Sequence, residues 1–194
     1  MENVVSIDHP LVHHHLKQLR DKNTSPQDFR RIVQRLSILL TYEATKDLAV
    51  KTASIETPLC TTTGEMLSQR IGLIPILRAG LGMVDPVLNL IPEAEVWHLG
   101  FYRDEQTLKP VEYYKKLPPG GAAIAAFEAI ANWGVKQTKL LSMIAAPEGL
   151  KVVQKAFPHT QIYVCAIDSH LNEHGYIVPG LGDAGDRIFN ACAV

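Results

Sequence analysis

Short apolar runs that alternate with helix-like stretches constrain this chain more than any other feature. Ile71 to Leu77 (Ile-Gly-Leu-Ile-Pro-Ile-Leu), Glu95 to Tyr102, Lys139 to Ala145 and Gln161 to Asp168 have the length and make-up of strands, and Val111 to Leu117 is a shorter strand-like run. Among them, Met83 to Leu90, the small-residue segment Ala122 to Trp133 stopped by Gly134, and a segment ending at Phe157 read as helices. A strand apolar on both faces has to be covered on both faces. The succession therefore predicts an α/β domain with a mostly parallel central sheet flanked by helices.

Both ends of the chain depart from that alternation. Apolar residues at helical spacing, including Leu11, Leu16, Leu19, Ile32, Leu36, Leu39 and Leu40, predict an N-terminal helical segment of two amphipathic helices between Leu11 and Leu48, broken around Asn23 to Ser25. Ser25-Pro26-Gln27-Asp28 is a start signal for the second helix: a cap, a proline at the first helical position and acid in the first turn. The polar excursion Arg103 to Pro110 reads as a flexible hairpin flap. Ala146-Pro147-Glu148-Gly149 reads as a connecting loop, and the glycine-rich tail Tyr176 to Asp186 as a loop with little periodicity. Repeats, low-complexity tracts and linkers are absent from the sequence, so residues 1–194 are expected to form a single domain.

Composition narrows the class of partner. With 46% hydrophobic and 20% charged residues, the chain can bury a core and lies far from the disordered regime. A formal net charge of -1 gives no pull toward nucleic acid or acidic membranes, which argues against an RNA-binding regulator and for a small-molecule partner. Cys60, Cys165 and Cys192 make no CxxC pair and cannot close a disulfide framework, so a reducing compartment is expected. The opening MENVVSIDHP has neither a basic nor a long apolar leader region, and no apolar run is long enough to span a bilayer; a cytoplasmic protein is expected.

In an open α/β sheet, ligands gather at the carboxyl ends of strands, where turns into helices present backbone N–H groups. Arg78-Ala79-Gly80-Leu81-Gly82 places a cation and two glycines just after a strand, which suits a phosphate or pyrophosphate. The same turn could be a plain strand-to-helix connection whose arginine pairs with a carboxylate. Arg103 opens the flap and could close over a polyanion, or simply decorate a solvated hairpin. In the tail, Gly180, Gly182 and Gly185 permit tight turns and close approach of backbone to a flat ring, whose edge peptide groups can read; the plainer alternative is a surface turn. Adjacent His13, His14 and His15 point in different directions on a helix and make a poor metal cage. His170 and His174, four apart beside Glu173, lack further ligands, and Cys165 reads as a core residue.

Taken together, His9-Pro10-Leu11-Val12, Leu40-Thr41-Tyr42-Glu43-Ala44, Pro75 to Gly82, Ala145 to Gly149 and Asn172 to Tyr176 resemble the uracil phosphoribosyltransferase family nearly from end to end. The resemblance implies a type I phosphoribosyltransferase fold. It also implies transfer of ribose 5-phosphate from phosphoribosyl pyrophosphate to uracil, giving UMP and pyrophosphate, with Mg²⁺ carried by the substrate diphosphate. By position, Arg78 and Arg103 would contact the diphosphate, and Ile177, Gly182 and Ala184 would contact uracil. Asp183 would stand between base and sugar phosphate, and Tyr176 to Asp186 would be the uracil-binding segment. A homodimer or higher homo-oligomer is expected on the same ground.

One departure from the family pattern is marked. Relatives place an apolar strand and an acidic glycine loop after a Tyr-Tyr-Lys-Lys-Leu segment, whereas here Lys116-Leu117-Pro118-Pro119 runs straight into Gly120-Gly121-Ala122. We read this as a deletion, because a central strand paired on both edges is not lost from view as a mobile loop can be. Gly120 and Gly121 would retain part of the phosphate site. Two functions remain open at this stage: a working uracil phosphoribosyltransferase, or an impaired homologue that binds uracil or UMP as a sensor or partner subunit.

Overall fold

The computed structural model describes residues 3–98, 101–103, 110–112, 122–131, 134–135 and 137–191. In chain order the elements are β1 (Val4–Ser6), α1 (Pro10–Arg20), α2 (Pro26–Ala44), β2 (Val50–Glu56), β3 (Thr61–Leu67), β4 (Gly72–Leu73), a short 3₁₀ turn (Ala79–Met83), α3 (Val84–Leu90) and β5 (Glu95–Val96). Then follow β6 (Phe101–Arg103), β7 (Pro110–Glu112), α4 (Ala122–Ala131), β8 (Lys139–Ala145), α5 (Pro147–Ala156), β9 (Gln161–Ile167), β10 (His170–Leu171), β11 (Ile177–Val178) and α6 (Ala184–Phe189).

The expected parallel α/β architecture is present in two blocks. One is a parallel sheet in the order β1, β9, β8; the other is the parallel pair β4 and β5. Helix α2 spans them, touching β8 and β9 on one side and the Ala79–Met83 turn and α3 on the other. Its buried stripe, Phe29, Ile32, Val33, Leu36, Leu40 and Ala44, joins Val12, Leu16 and Leu19 of α1 in the main core with Tyr163, Cys165 and Ile188. A second cluster on the opposite face holds Ile124 and Phe127 of α4, Leu150 and Val153 of α5, and Ile162 and Val164 of β9. Alternate residues of β9 thus feed the two cores, as a strand with period two and two covered faces must.

β9 has partners on both edges and four consecutive buried residues. β8 has a partner on one edge among the described residues, and all seven of its residues are only half-buried.

The helix signals of the sequence correspond to real caps. Ser25 Oγ accepts from Asp28 N at 3.1 Å, with Pro26 opening α2. Several expectations are corrected. The Ile71–Leu77 run forms strand only at Gly72–Leu73, because its proline-containing end turns out of the sheet before Arg78. The Glu95–Tyr102 run divides into β5 and β6, which pair with different partners. Ala146 to Gly149 is no loop: Ala146 is the cap position and Pro147 starts α5. The tail is not all loop either, since Asp183 caps α6. β1 and the β2–β3 hairpin were not expected; each of their strands has one half-buried residue and the rest exposed, so the core-facing periodicity that marks a strand is missing. The segments at the two ends of the expected flap pair antiparallel, Phe101 opposite Glu112 and Arg103 opposite Pro110, and residues 104–109 lie outside the described residues.

Candidate functional site

At the carboxyl end of β9 the chain reaches Asp168, then β10, the turn 172–176, β11 and the glycine loop. β11 lies antiparallel to β10, Leu171 opposite Ile177, which anchors the start of the loop beside the sheet. The loop then passes a cis Val178–Pro179 bond and turns through Gly180 (φ 64) and Gly182 (φ 77), conformations that side-chain-bearing residues rarely adopt. At Gly180 a Cβ would lie 2.0 Å from the Ile177 carbonyl oxygen, so only glycine fits.

Polar ties hold this loop to distant parts of the chain. Asp168, whose side chain is 4% exposed, receives Arg20 Nη1 at 2.8 Å and Nη2 at 2.5 Å, and its Oδ2 also accepts Gly180 N at 2.9 Å. Arg20 Nη1 donates in turn to Gly180 O at 2.8 Å. Burial alone would raise the Asp168 pKa, but the Arg20 guanidinium and the Gly180 N–H outweigh it and hold the carboxyl below its ordinary value. Hydrogen bonding to Asp168 raises the Arg20 pKa in return. Arg187 of α6 reaches back: Nη1 donates to Leu19 O at 2.6 Å and Leu181 O at 2.9 Å, Nη2 to Asp21 O at 2.6 Å, and the guanidinium lies 4.3 Å from the Phe29 ring centre. A cavity of about 320 Å³ between the end of α1 and the loop is lined by Arg20, Lys22, Gly180, Gly182 and Arg187.

Accounting for backbone groups shows what the loop leaves open. Gly180 N and O, Leu181 O and Val178 O are spent within the chain. Among the described residues the N–H groups of Gly182, Asp183 and Ala184 have no partner, and Gly182 and Asp183 are exposed. Asp183 Oδ1 accepts Asp186 N at 2.8 Å, capping α6.

Arg78 follows a cis Leu77–Arg78 bond and opens the 3₁₀ turn packed against α6. Its Nη2 meets Asp186 Oδ1 at 2.6 Å, with the two side chains 52% and 30% exposed. Packing explains the approach: a Cβ on Gly82 would lie 3.0 Å from Ile188 Cδ1 of α6 and 3.3 Å from Val33 Cγ1 of α2. Ile177, Gly182, Asp183 and Ala184 lie on β11, the loop and the start of α6, and the Arg78 turn packs against α6, where Arg78 meets a carboxylate as the plainer sequence reading allowed. Arg103 ends β6 and its side chain lies outside the description; Gly120 and Gly121 lie outside the described residues. Sequence reasoning missed Arg20, Asp168, Asp186 and Arg187. A carboxylate ending a buried parallel strand was the available signal for Asp168. Cys165 is 3% exposed, and burial pushes its thiol up to about 12, in keeping with a core role.

Parallel strands whose ends lead to an arginine turn and to an open row of backbone donors form the kind of α/β scaffold in which small ligands gather at strand ends. A sequence model of the family described as uracil phosphoribosyltransferase matches residues 5–120 and 119–191. Proteins of that name from Roseiflexus castenholzii and Geobacillus kaustophilus are 52% and 48% identical, each match covering 97% of this chain and 99% of the relative. A solved structure of a protein from Aquifex aeolicus superposes with a TM-score of 0.92 at 34% identity, covering 98% of this chain and 100% of the other. The chain belongs to the uracil phosphoribosyltransferase family. The family match breaks at residues 119–120, and the two alignments run over 205 and 206 positions against 194 residues here, so the relatives carry residues that this chain lacks.

Proposed function

We propose that this single-domain chain transfers ribose 5-phosphate from phosphoribosyl pyrophosphate to N1 of uracil, giving UMP and pyrophosphate in pyrimidine salvage in the cytoplasm. The observation that carries the reading is the open row of N–H groups at Gly182, Asp183 and Ala184 in a fixed loop. Uracil offers acceptor, donor and acceptor along one edge. Backbone N–H groups can meet its carbonyl oxygens, with Ile177 on β11 beside the ring. Cytosine reverses two of those positions, so a donor placed for the second carbonyl oxygen would face an amino group.

In the reaction the bond between C1 of the ribose and the diphosphate oxygen breaks, the N1–C1 bond forms, and the N1 proton is lost. Positive charge builds on the ribose while pyrophosphate departs, so the protein's work is positioning and stabilising the leaving anion. Arg78 and Arg103 would take the diphosphate, which requires Arg78 to exchange Asp186 for the anion. The diphosphate would carry Mg²⁺, which would supply charge neutralisation. The second carboxylate oxygen of Asp183, left over from capping, is a hard donor suited to that ion or to the ribose hydroxyls. Gly120 and Gly121 would contact the 5-phosphate.

The strand that relatives carry would belong between β4 and β8, since β8 has one open edge among the described residues. Homo-oligomer formation fits the β2–β3 arm, whose two seven-residue strands expose Val50, Ile55, Met66 and Leu67, with Leu59 at the tip 95% exposed. The test is formation of UMP from uracil and phosphoribosyl pyrophosphate with Mg²⁺, followed by chromatography. UMP and pyrophosphate in equal amounts are expected. No UMP, with uracil still bound, would point to the impaired homologue instead.

A further inference from the structure

From the bonds among Arg20, Asp168 and Gly180 we infer that Arg20 and Asp168 are positioning residues for base selection: they fix the loop whose backbone reads the base. The inference rests on the uracil reading of residues 177–184 and adds the part of the fold that makes that reading specific.

Three observations lead to it. First, the donors that would read the base lie where the loop leaves the core: Leu181 is in the main core, but Gly182 and Asp183 are exposed. The exposed stretch needs polar ties to fix its orientation. Second, the ties at Gly180 converge on one carboxylate. Asp168 accepts from Gly180 N while Arg20, bound to both oxygens of Asp168, donates to Gly180 O, so both peptide groups flanking Gly180 are held by one pair. Charge-assisted bonds to a nearly buried carboxylate are short and directional, and they set orientation as well as proximity. Third, the pair joins elements 148 residues apart in sequence: Arg20 ends α1, and Asp168 follows β9. The loop is thereby referred to the central strand rather than to its immediate neighbours.

Selection between uracil and cytosine depends on where N–H groups stand to within a few tenths of an ångström. Release of Gly180 would let the Gly182 to Ala184 donors wander, and the loss would fall on discrimination as well as on affinity. Neither side chain need touch the base.

The test measures dissociation constants for uracil and for cytosine by calorimetry, on the full chain and on Arg20→Ala, Asp168→Asn, Gly182→Val and Val153→Ala. Val153 lies in the second core and reports plain destabilisation. The expected result for Arg20→Ala and Asp168→Asn is uracil affinity lower by about tenfold or more, with the uracil-to-cytosine ratio falling toward one. Val153→Ala should lower thermal stability and leave that ratio unchanged. Millimolar methylguanidinium should restore part of the ratio to Arg20→Ala and do nothing for the unaltered chain. An unchanged ratio in Arg20→Ala and Asp168→Asn, with uracil binding abolished by Gly182→Val, would overturn the positioning role and leave the base loop standing. Uracil binding untouched in all three loop-directed variants, or absent from the unaltered chain, would overturn the base loop and the positioning role together.

Discussion

The glycine loop after β11, proposed to read the base, and the turn at Arg78 come together at α6 but are held in different ways. The loop is tied by a nearly buried carboxylate, a bidentate arginine and two glycines at positive φ, and its fixed points lie on α1, β9 and α6. The Arg78 turn is tied across a half-exposed ion pair to Asp186, and the segment that relatives carry after it is missing at residues 119–120. Exposed pairs contribute little and exchange partners readily, whereas a buried, fully bonded carboxylate does not. On the proposed reading the base end is therefore built in advance, and the anion end is built for exchange and lacks residues that relatives carry.

The largest expected effect comes from completing the anion end. Inserting a family-like strand and acidic glycine loop between Pro119 and Gly120 should strengthen phosphoribosyl pyrophosphate binding by about a thousandfold, since several anion bonds of roughly 1 to 3 kcal/mol each are restored. Thermal stability should rise as well, because the open edge of β8 gains a partner. Equal turnover with and without the insertion would remove the contrast between the two ends.

Next in size is Gly180→Ala. Its Cβ would lie 2.0 Å from a backbone oxygen, which cannot move aside as a flexible side chain does. We expect uracil binding to fall at least tenfold, with a stability loss above about 2 kcal/mol. Wild-type melting and uracil affinity would mean that the loop is less fixed than its bonds imply.

Acid should act mainly on the same end. Asp168 has its pKa depressed in the fold, so its contribution is fully present above the ordinary carboxylate value near 3.9 and is lost as pH falls through the depressed folded value. Between about pH 5 and pH 2 the melting temperature of Asp168→Asn should therefore fall less steeply than that of the unaltered chain. Parallel curves would show that Asp168 carries no linked stability.

The smallest expected effect is Asp186→Asn. It removes a competitor for Arg78 and should change stability by less than about 1 kcal/mol, given the exposure of the pair. Affinity for pyrophosphate should rise a few-fold; a fall would assign Asp186 a direct role in holding the ligand.

Legibility in the sequence followed the same division. α1 and α2 could be read because each buries a periodic apolar stripe and α2 carries its own cap, and β8 and β9 because each is a short, nearly continuous apolar run. The glycines of the base loop could be read because positive φ leaves a mark in composition. The ties that hold the loop left no local mark: Arg20 looks like any basic residue in a last helical turn, and Asp168 like the polar end of a strand. Long-range pairing between residues 148 apart is set by topology, which one sequence does not display. The β2–β3 arm escaped for a related reason, since its strands pack chiefly on each other.

The most direct test of the base site is calorimetric titration of the unaltered chain with uracil and, separately, with cytosine. Backbone donors held where uracil has its two carbonyl oxygens should bind uracil at least about tenfold more tightly than cytosine, as expected when a mismatch leaves polar groups unpaired. Equal affinity for the two bases would contradict the assignment of residues 177–184 to uracil.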